Sequence, residues 1–227
     1  MSIFAAEMTT THALLQLADA ALAATNVPDW PADTFLHREA VSSPTLPDGQ
    51  AMVEWHPLIP FLPQNTRVLF LGSFPPQRKR WCMDFFYPNF INDHWRIEGL
   101  VFYGDAQHFV DSEAKTFKLH AIVEHLKHHG IGFFDTAIAV RRLADNASDK
   151  FLEVVAPTDI RAMVEHLPEL RAVVTTGVKA TETIAAAISA PFHDIELCRL
   201  PSSSRAYPMA LTKKAEAYKT MFERYLR

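Results

Sequence analysis

RVLFLGSFPP, residues 67–76, decides how this chain folds. Val68, Leu69, Phe70 and Leu71 run without a polar break and stop at Gly72. An unbroken apolar run, rather than an alternating one, marks a strand covered on both faces, as in a parallel sheet. Three more segments read the same way: GIGFFDTAI (130–138), RAVVTTG (171–177) and IELCRL (195–200). Helical patterns lie between and after them, in KTFKLHAIVEHLKHH (115–129), PTDIRAMVEHL (157–167), KATETIAAAIS (179–189) and TKKAEAYKTMFERYL (212–226). Thr158 and Thr212 suit the N-cap positions of the second and last of these helices. Strand and helix in alternation imply right-handed βαβ units. The expected fold class is α/β: three layers, α/β/α, around a central four-stranded parallel sheet.

Outward from this body, HALLQLADAALAAT (12–25) has helical spacing, and a proline-punctuated stretch follows it. Residues 1–50 are expected to be a helical and extended accessory segment, and residues 51–227 the α/β domain. With 48% apolar and 21% charged residues the chain has a globular composition, and 227 residues suit one such domain. A net charge of −4 argues against a general coat for polyanions, so a nucleic-acid reader of this balance needs a local basic patch. Two cysteines, Cys82 and Cys198, are too few for a four-cysteine metal site, and they read as free thiols of a cytoplasmic protein. MSIFAAEMTTTH lacks the basic and apolar regions of a signal peptide, and no stretch approaches the roughly 20 apolar residues of a membrane span. The 11 histidines form no HExxH-like pattern, so neither metal nor other cofactor is expected. The chain is expected to be a monomer with no membrane partner.

In parallel sheets, ligands bind beyond the carboxyl ends of the strands. The segments there are GSFPPQRKRW, DTAIAVRRLADNASD, GVKA and PSSSRAYP, all rich in small, polar or basic residues. The first leads into FFYPNFINDHW (85–95), where five of eleven residues are aromatic and amides stand among the rings. That is too polar for a core strand, and Pro88 interrupts a helix.

Side by side, GSFPP (72–76), FFYPNFINDHW (85–95) and LPSSSRA (200–206) resemble the uracil-DNA glycosylase superfamily, most of all its branch of mismatch-specific uracil and hypoxanthine glycosylases. Those proteins carry a Gly-x-x-Pro turn after the first strand. An aromatic follows, with an Asn five residues later in an Asn-x-aromatic-Trp context, and a Pro-Ser turn closes the last strand. Here Tyr87 precedes Asn92 by five residues, and Asn92-Asp93-His94-Trp95 fits with His94 as the ring. The likeness spans roughly residues 67–225. It implies a monofunctional DNA glycosylase of base excision repair that hydrolyses the N-glycosidic bond of a deaminated base in damaged DNA, with water as nucleophile. Two positions depart from the pattern. Phe74 stands where most branches have Asp or Asn, and Pro201-Ser202-Ser203-Ser204 where His or Asn is usual. By analogy with the hypoxanthine-type branch, Asn92 then positions the water.

The chemistry is coherent on its own terms. A flipped base needs a flat partner, and Tyr87 offers one, with Phe86 or Phe74 as substitutes. Gly72, Ser73, Phe74 and Pro75 form the turn whose N–H groups can meet charge on the leaving base. Asp135, at a strand end, can activate water or cap local backbone. Arg78, Lys79 and Arg80 beside the first turn, and Pro201, Ser202, Ser203, Ser204 and Arg205 at the last, can grip phosphates. Tyr207 and Met209 are candidates for a wedge. Blander readings exist for each: Asn92 as the N-cap of a helix beginning DHWRIEGLVFY, the rings as core, the cations as a solvated face. A glycosylase-fold protein that binds without cleaving is the alternative. A phosphotransferase lacks GxxxxGK[ST] and GxGxxG.

Overall fold

The computed structural model describes residues 3–24, 35–36, 53–143, 151–187 and 194–227. Its elements run α1 (Ile3–Ala24), β1 (Val53–Trp55), β2 (Val68–Gly72), a 3-10 turn (Arg78–Arg80), α2 (His94–Tyr103), β3 (Val110–Asp111), β4 (Thr116–Phe117) and α3 (Leu119–His129). Then come β5 (Ile131–Asp135), β6 (Ala137–Arg142), β7 (Leu152–Pro157), α4 (Ile160–Glu165), β8 (Ala172–Thr176), α5 (Val178–Ala187), β9 (Glu196–Leu200) and α6 (Leu211–Tyr225).

The central sheet has the order β5-β2-β8-β9, parallel throughout, with helices flanking it. β2 lies inside it because its side chains are apolar on both faces, and Val68 to Leu71 are wholly buried. Phe70 shows how one helical layer is held: its ring stacks on Phe133 of β5 at 5.2 Å and meets His94 of α2 and Tyr218 and Phe222 of α6. Burying a ring of this size stabilises the fold by about 2–3 kcal/mol.

A second sheet, β1-β6-β7, is antiparallel. The expected strand over 130–138 is two strands: β5 ends at Asp135, and β6 leaves from Ala137 into the other sheet. Thr136 makes the switch, donating its N–H to Gly72 O at 2.9 Å and accepting from Thr158 N at 2.9 Å. The apolar run does not break there, so periodicity alone continues the strand. The helix expected over 115–129 begins only at Leu119, because Thr116 and Phe117 pair with β3. The far end of the helix expected over 179–189, and Asp149 of DTAIAVRRLADNASD, lie outside the described residues.

Neither threonine is an N-cap. Asp159 caps α4, its carboxylate accepting from Ala162 N at 3.1 Å, while the Thr158 hydroxyl donates to Asp135 O at 2.7 Å. A tertiary partner thus takes the hydroxyl that would have capped. Ala210 holds the N-cap position of α6 without a side-chain bond, which leaves Thr212 inside the helix. α1 buries Leu14, Leu15, Ala18 and Ala21, and Leu14 and Leu15 join the main core. Of residues 25–52, only Phe35 and Leu36 are among the described residues, and Phe35 O accepts the N–H of Ile59 at 2.9 Å.

Candidate active site

Parallel pairing places the carboxyl ends of the four strands along one edge. Gly72 stands beside Asp135, and Thr176 beside Leu200. A groove of about 1370 Å³ opens above this row. It is lined by Gly72, Ser73, Phe74 and Pro75 from the first turn, by Phe86, Tyr87 and Asn92 from the aromatic segment, by Asp135, and by Pro201, Ser202, Ser203, Ser204 and Arg205 from the last turn. Arg80 reaches the groove as well, but Arg78 and Lys79 do not line it. Successive residues of a 3-10 turn point about 120° apart, so three neighbouring cations cannot share one direction. Arg78 turns back onto Asp84 and lies 4.5 Å over the Trp81 ring.

Asp135 is the carboxyl at the groove floor. Its Oδ2 stands 2.8 Å from Nε2 of His56, which is itself buried. The His56 ring packs against Phe134 at 4.4 Å and Phe74 at 5.3 Å. The sequence reading missed His56, whose only local signal is an imidazole in the apolar lead-in WHPLIPFLP. Among the described residues, Oδ1 of Asp135 accepts no hydrogen bond. It lies so close over Gly72 that a Cβ there would meet it at 2.2 Å. The first turn is held in place by Arg142, which donates to Glu54 at 2.8 Å and to Pro75 O at 2.6 Å.

Tyr87 is the half-buried ring of the aromatic segment; Phe86 and Phe74 are largely core. Its φ of 49° is left-handed, a conformation that costs a non-glycine residue about 1–3 kcal/mol. The surroundings hold it there. Its hydroxyl lies 2.8 Å from Thr176 Oγ1, and its ring stacks on His94 at 3.8 Å and 5°. Burial pushes the His94 imidazole below its ordinary range, which favours the neutral ring. Behind it, Glu98 lies 3.2 Å from His94 Nε2 and 2.8 Å from His125 Nε2. Burial alone would raise the Glu98 carboxyl, but the two imidazoles outweigh it and bring the value down to about 2.

Asn92 lies on the groove, one residue before the N-cap, which is Asp93. Its carboxamide oxygen accepts from His94 N at 2.9 Å, so it does part of a cap's work and keeps a second lone pair. The last turn is bound to the same region. Asp93 N donates to Ser203 O at 3.1 Å, Arg205 Nε to Asp93 Oδ1 at 2.8 Å, and Lys214 Nζ to Ser204 O at 2.7 Å. The two sides of the groove are therefore fixed to each other. Among the described residues, no group of three or more His, Cys, Asp or Glu could hold a metal ion. No described helix is long and apolar enough to cross a membrane.

No family model matches the chain, and no curated protein does. The chain is similar to the solution NMR structure of a "putative Uracil DNA glycosylase" from Methanosarcina acetivorans, at a TM-score of 0.55 and 26% identity. The match covers 76% of this chain and 98% of that one. The likeness supports the uracil-DNA glycosylase superfamily for this chain. Within this likeness the chain carries Phe74, an apolar ring, in its first turn, and the carboxyl at its groove floor comes from the end of the neighbouring strand.

Proposed function

We propose that this chain is a DNA glycosylase that hydrolyses the N-glycosidic bond of a deaminated base, uracil or hypoxanthine, with water as nucleophile. One observation carries the reading. A half-buried aromatic, a carboxamide and a carboxyl converge on one groove at the carboxyl edge of the sheet, beside exposed cations. Residues 51–227 carry the activity in this reading, and residues 1–50 support it.

The target base leaves the stack and lies on Tyr87, whose other face His94 backs; stacking of this kind is worth about 1–3 kcal/mol. The sugar develops positive charge as the bond breaks, so a weakly activated water suffices. The free lone pair of Asn92 aims that water, and the N–H groups of the Gly72–Phe74 turn meet charge on the leaving base. Arg80, Arg205 and the serines of the last turn hold phosphates, and the exposed Tyr207 and Met209 fill the gap in the stack.

The test is base excision from labelled oligonucleotides holding uracil, hypoxanthine, xanthine or G·T and G·U mismatches, in single and double strands. Wild type is expected to release at least one lesion base, and Asn92→Ala to lower that rate by about 10²-fold. The binding-only alternative draws on the bond that Asn92 Oδ1 already accepts from His94 N. Folded protein that releases no base but binds DNA with a salt-dependent affinity would establish that alternative.

Two variants probe the geometry. Gly72→Ala puts a methyl against Asp135 Oδ1, and His56 pins the other oxygen, so the carboxyl must abandon one neighbour. Excision is expected to fall by about tenfold or more while the melting temperature drops by only a few degrees. Arg80→Ala is expected to reduce the slope of log affinity against log salt by about 1, whatever the base, as loss of one phosphate contact should. Filter binding across a salt series checks it, and an unchanged slope places Arg80 away from the backbone.

A further inference from the structure

Lys214 is a costly residue for its place. Its side chain is 1% exposed, so an ammonium has been taken out of water. It also closes the first turn of α6, where the helix dipole is positive and a cation is disfavoured, and no acid in that turn offsets it. Burial pushes the Lys214 amine below its ordinary range, against the pull of Asp93. Nothing local favours a lysine here, so what offsets both costs is tertiary. Its partners belong to the last turn of the groove. Nζ donates to Ser204 O at 2.7 Å and lies 3.8 Å from Asp93 Oδ2. Ser204 O also accepts from Tyr207 N at 3.1 Å. One helical turn along α6, the buried Tyr218 donates its hydroxyl to Pro201 O at 3.2 Å. Asp93 N, at the start of α2, donates to Ser203 O at 3.1 Å.

Three carbonyls of the turn, those of Pro201, Ser203 and Ser204, are thus drawn toward α6 and the start of α2. Lys214 and Tyr218 do not line the groove, whereas Pro201 through Arg205 do. A trans peptide is planar, so a carbonyl aimed one way turns the following N–H the other. The hold on Pro201 O therefore sends the N–H of Ser202 away from α6, and the hold on Ser204 O sends that of Arg205 the same way. Among the described residues neither N–H has a hydrogen-bond partner. Arg205 binds Asp93 through Nε, and its side chain is otherwise half exposed. We infer that Lys214 is a positioning residue for DNA binding: its buried ammonium holds the Ser204–Arg205 peptide with the N–H turned outward to a backbone phosphate. The inference rests on the glycosylase reading and deepens it by assigning part of the DNA affinity to a side chain that never meets DNA. Asn92 does not depend on Lys214, because Arg96 donates to Asn92 O at 2.9 Å and His94 N donates to Asn92 Oδ1.

The probe is a duplex in which a tetrahydrofuran abasic-site analogue replaces one nucleoside, so that it binds without being cleaved. In amide spectra of wild type, the Ser202 and Arg205 signals are expected to shift on titration with it. Lys214→Met keeps an unbranched stem and removes the donor. It is expected to weaken binding of this duplex by about tenfold and to lose the Arg205 shift while the Ser202 shift remains. Tyr218→Phe gives up only the hold on Pro201 and is expected to do the converse. With a lesion substrate, Lys214→Met is expected to raise the enzyme concentration at half-maximal single-turnover rate by about tenfold, and to lower the saturated rate by no more than about threefold. Melting curves show that the variants are folded, and a residue that served folding alone would not produce this split. A wild-type Arg205 amide that stays in place while other groove amides shift overturns the inference, and that titration decides whether or not Lys214→Met folds. A folded Lys214→Met that binds as wild type does, or that loses saturated rate and keeps affinity, overturns it too. A wild type that shows the Arg205 shift but releases no lesion base overturns the glycosylase reading and leaves the role of Lys214 standing.

Discussion

Asp135→Ala is expected to lower single-turnover excision by about 10²-fold to 10³-fold while DNA affinity stays within a few-fold. The carboxyl lies at the groove floor, away from the phosphate-facing rim, so its loss is felt at the base and not along the backbone. Its removal also strands His56, whose Nε2 would lose its partner inside an apolar wall. A buried polar group left unpaired costs about 1–3 kcal/mol, so the variant is expected to melt a few degrees lower. Asp135→Asn separates the two effects. Its carbonyl keeps an acceptor without charge, so excision is expected to fall less than in Asp135→Ala. Rates measured at saturating enzyme, beside melting curves, check both variants. An Asp135→Ala protein that excises at the wild-type rate would remove the carboxyl from the mechanism.

The second large effect is on stability. Glu98→Ala is expected to destabilise the fold by about 3–5 kcal/mol, the usual consequence of removing one partner of a buried ionic cluster. Glu98 has no exposed surface and lies between His94 and His125. His125 Nε2 faces the carboxylate, and its Nδ1 lies 3.1 Å from the Tyr103 hydroxyl. The same residue predicts a pH dependence. The Glu98 carboxyl is held at about 2 in the folded protein against an ordinary 4.5, so between those values the unfolded chain binds more protons. Its contribution, about 3 kcal/mol, is therefore complete above roughly pH 4.5 and lost as the pH falls toward 2. Urea melts at pH 7 and pH 3 are expected to show that loss in wild type and to show it much reduced in Glu98→Ala. Equal losses in both proteins would assign the acid sensitivity elsewhere. Because His94 lies between Glu98 and the ring of Tyr87, Glu98→Ala is also expected to weaken excision without touching the groove.

What the sequence determined by itself is local. Unbroken apolar runs such as VLFL (68–71) can only be satisfied with both faces covered, so the parallel sheet and its helical layers follow from composition and spacing. The strand ends then place Gly72, Asp135 and the last serine turn on one edge, and the aromatic segment joins them because it follows the first. Tertiary structure decided what depends on partners distant in sequence. His56 and Asp135 are 79 residues apart, and no periodicity pairs them. β5 hands over to β6 at Thr136 because hydrogen bonds to Gly72 and Thr158 turn the chain, while the side chains stay apolar through the turn. Thr158 serves Asp135 and leaves the cap to Asp159, since a hydroxyl goes to whichever acceptor the fold brings within reach. Tyr87 is left-handed for the same reason: its own backbone preference opposes that conformation, and tertiary contacts, with His94 and Thr176 among them, hold it there.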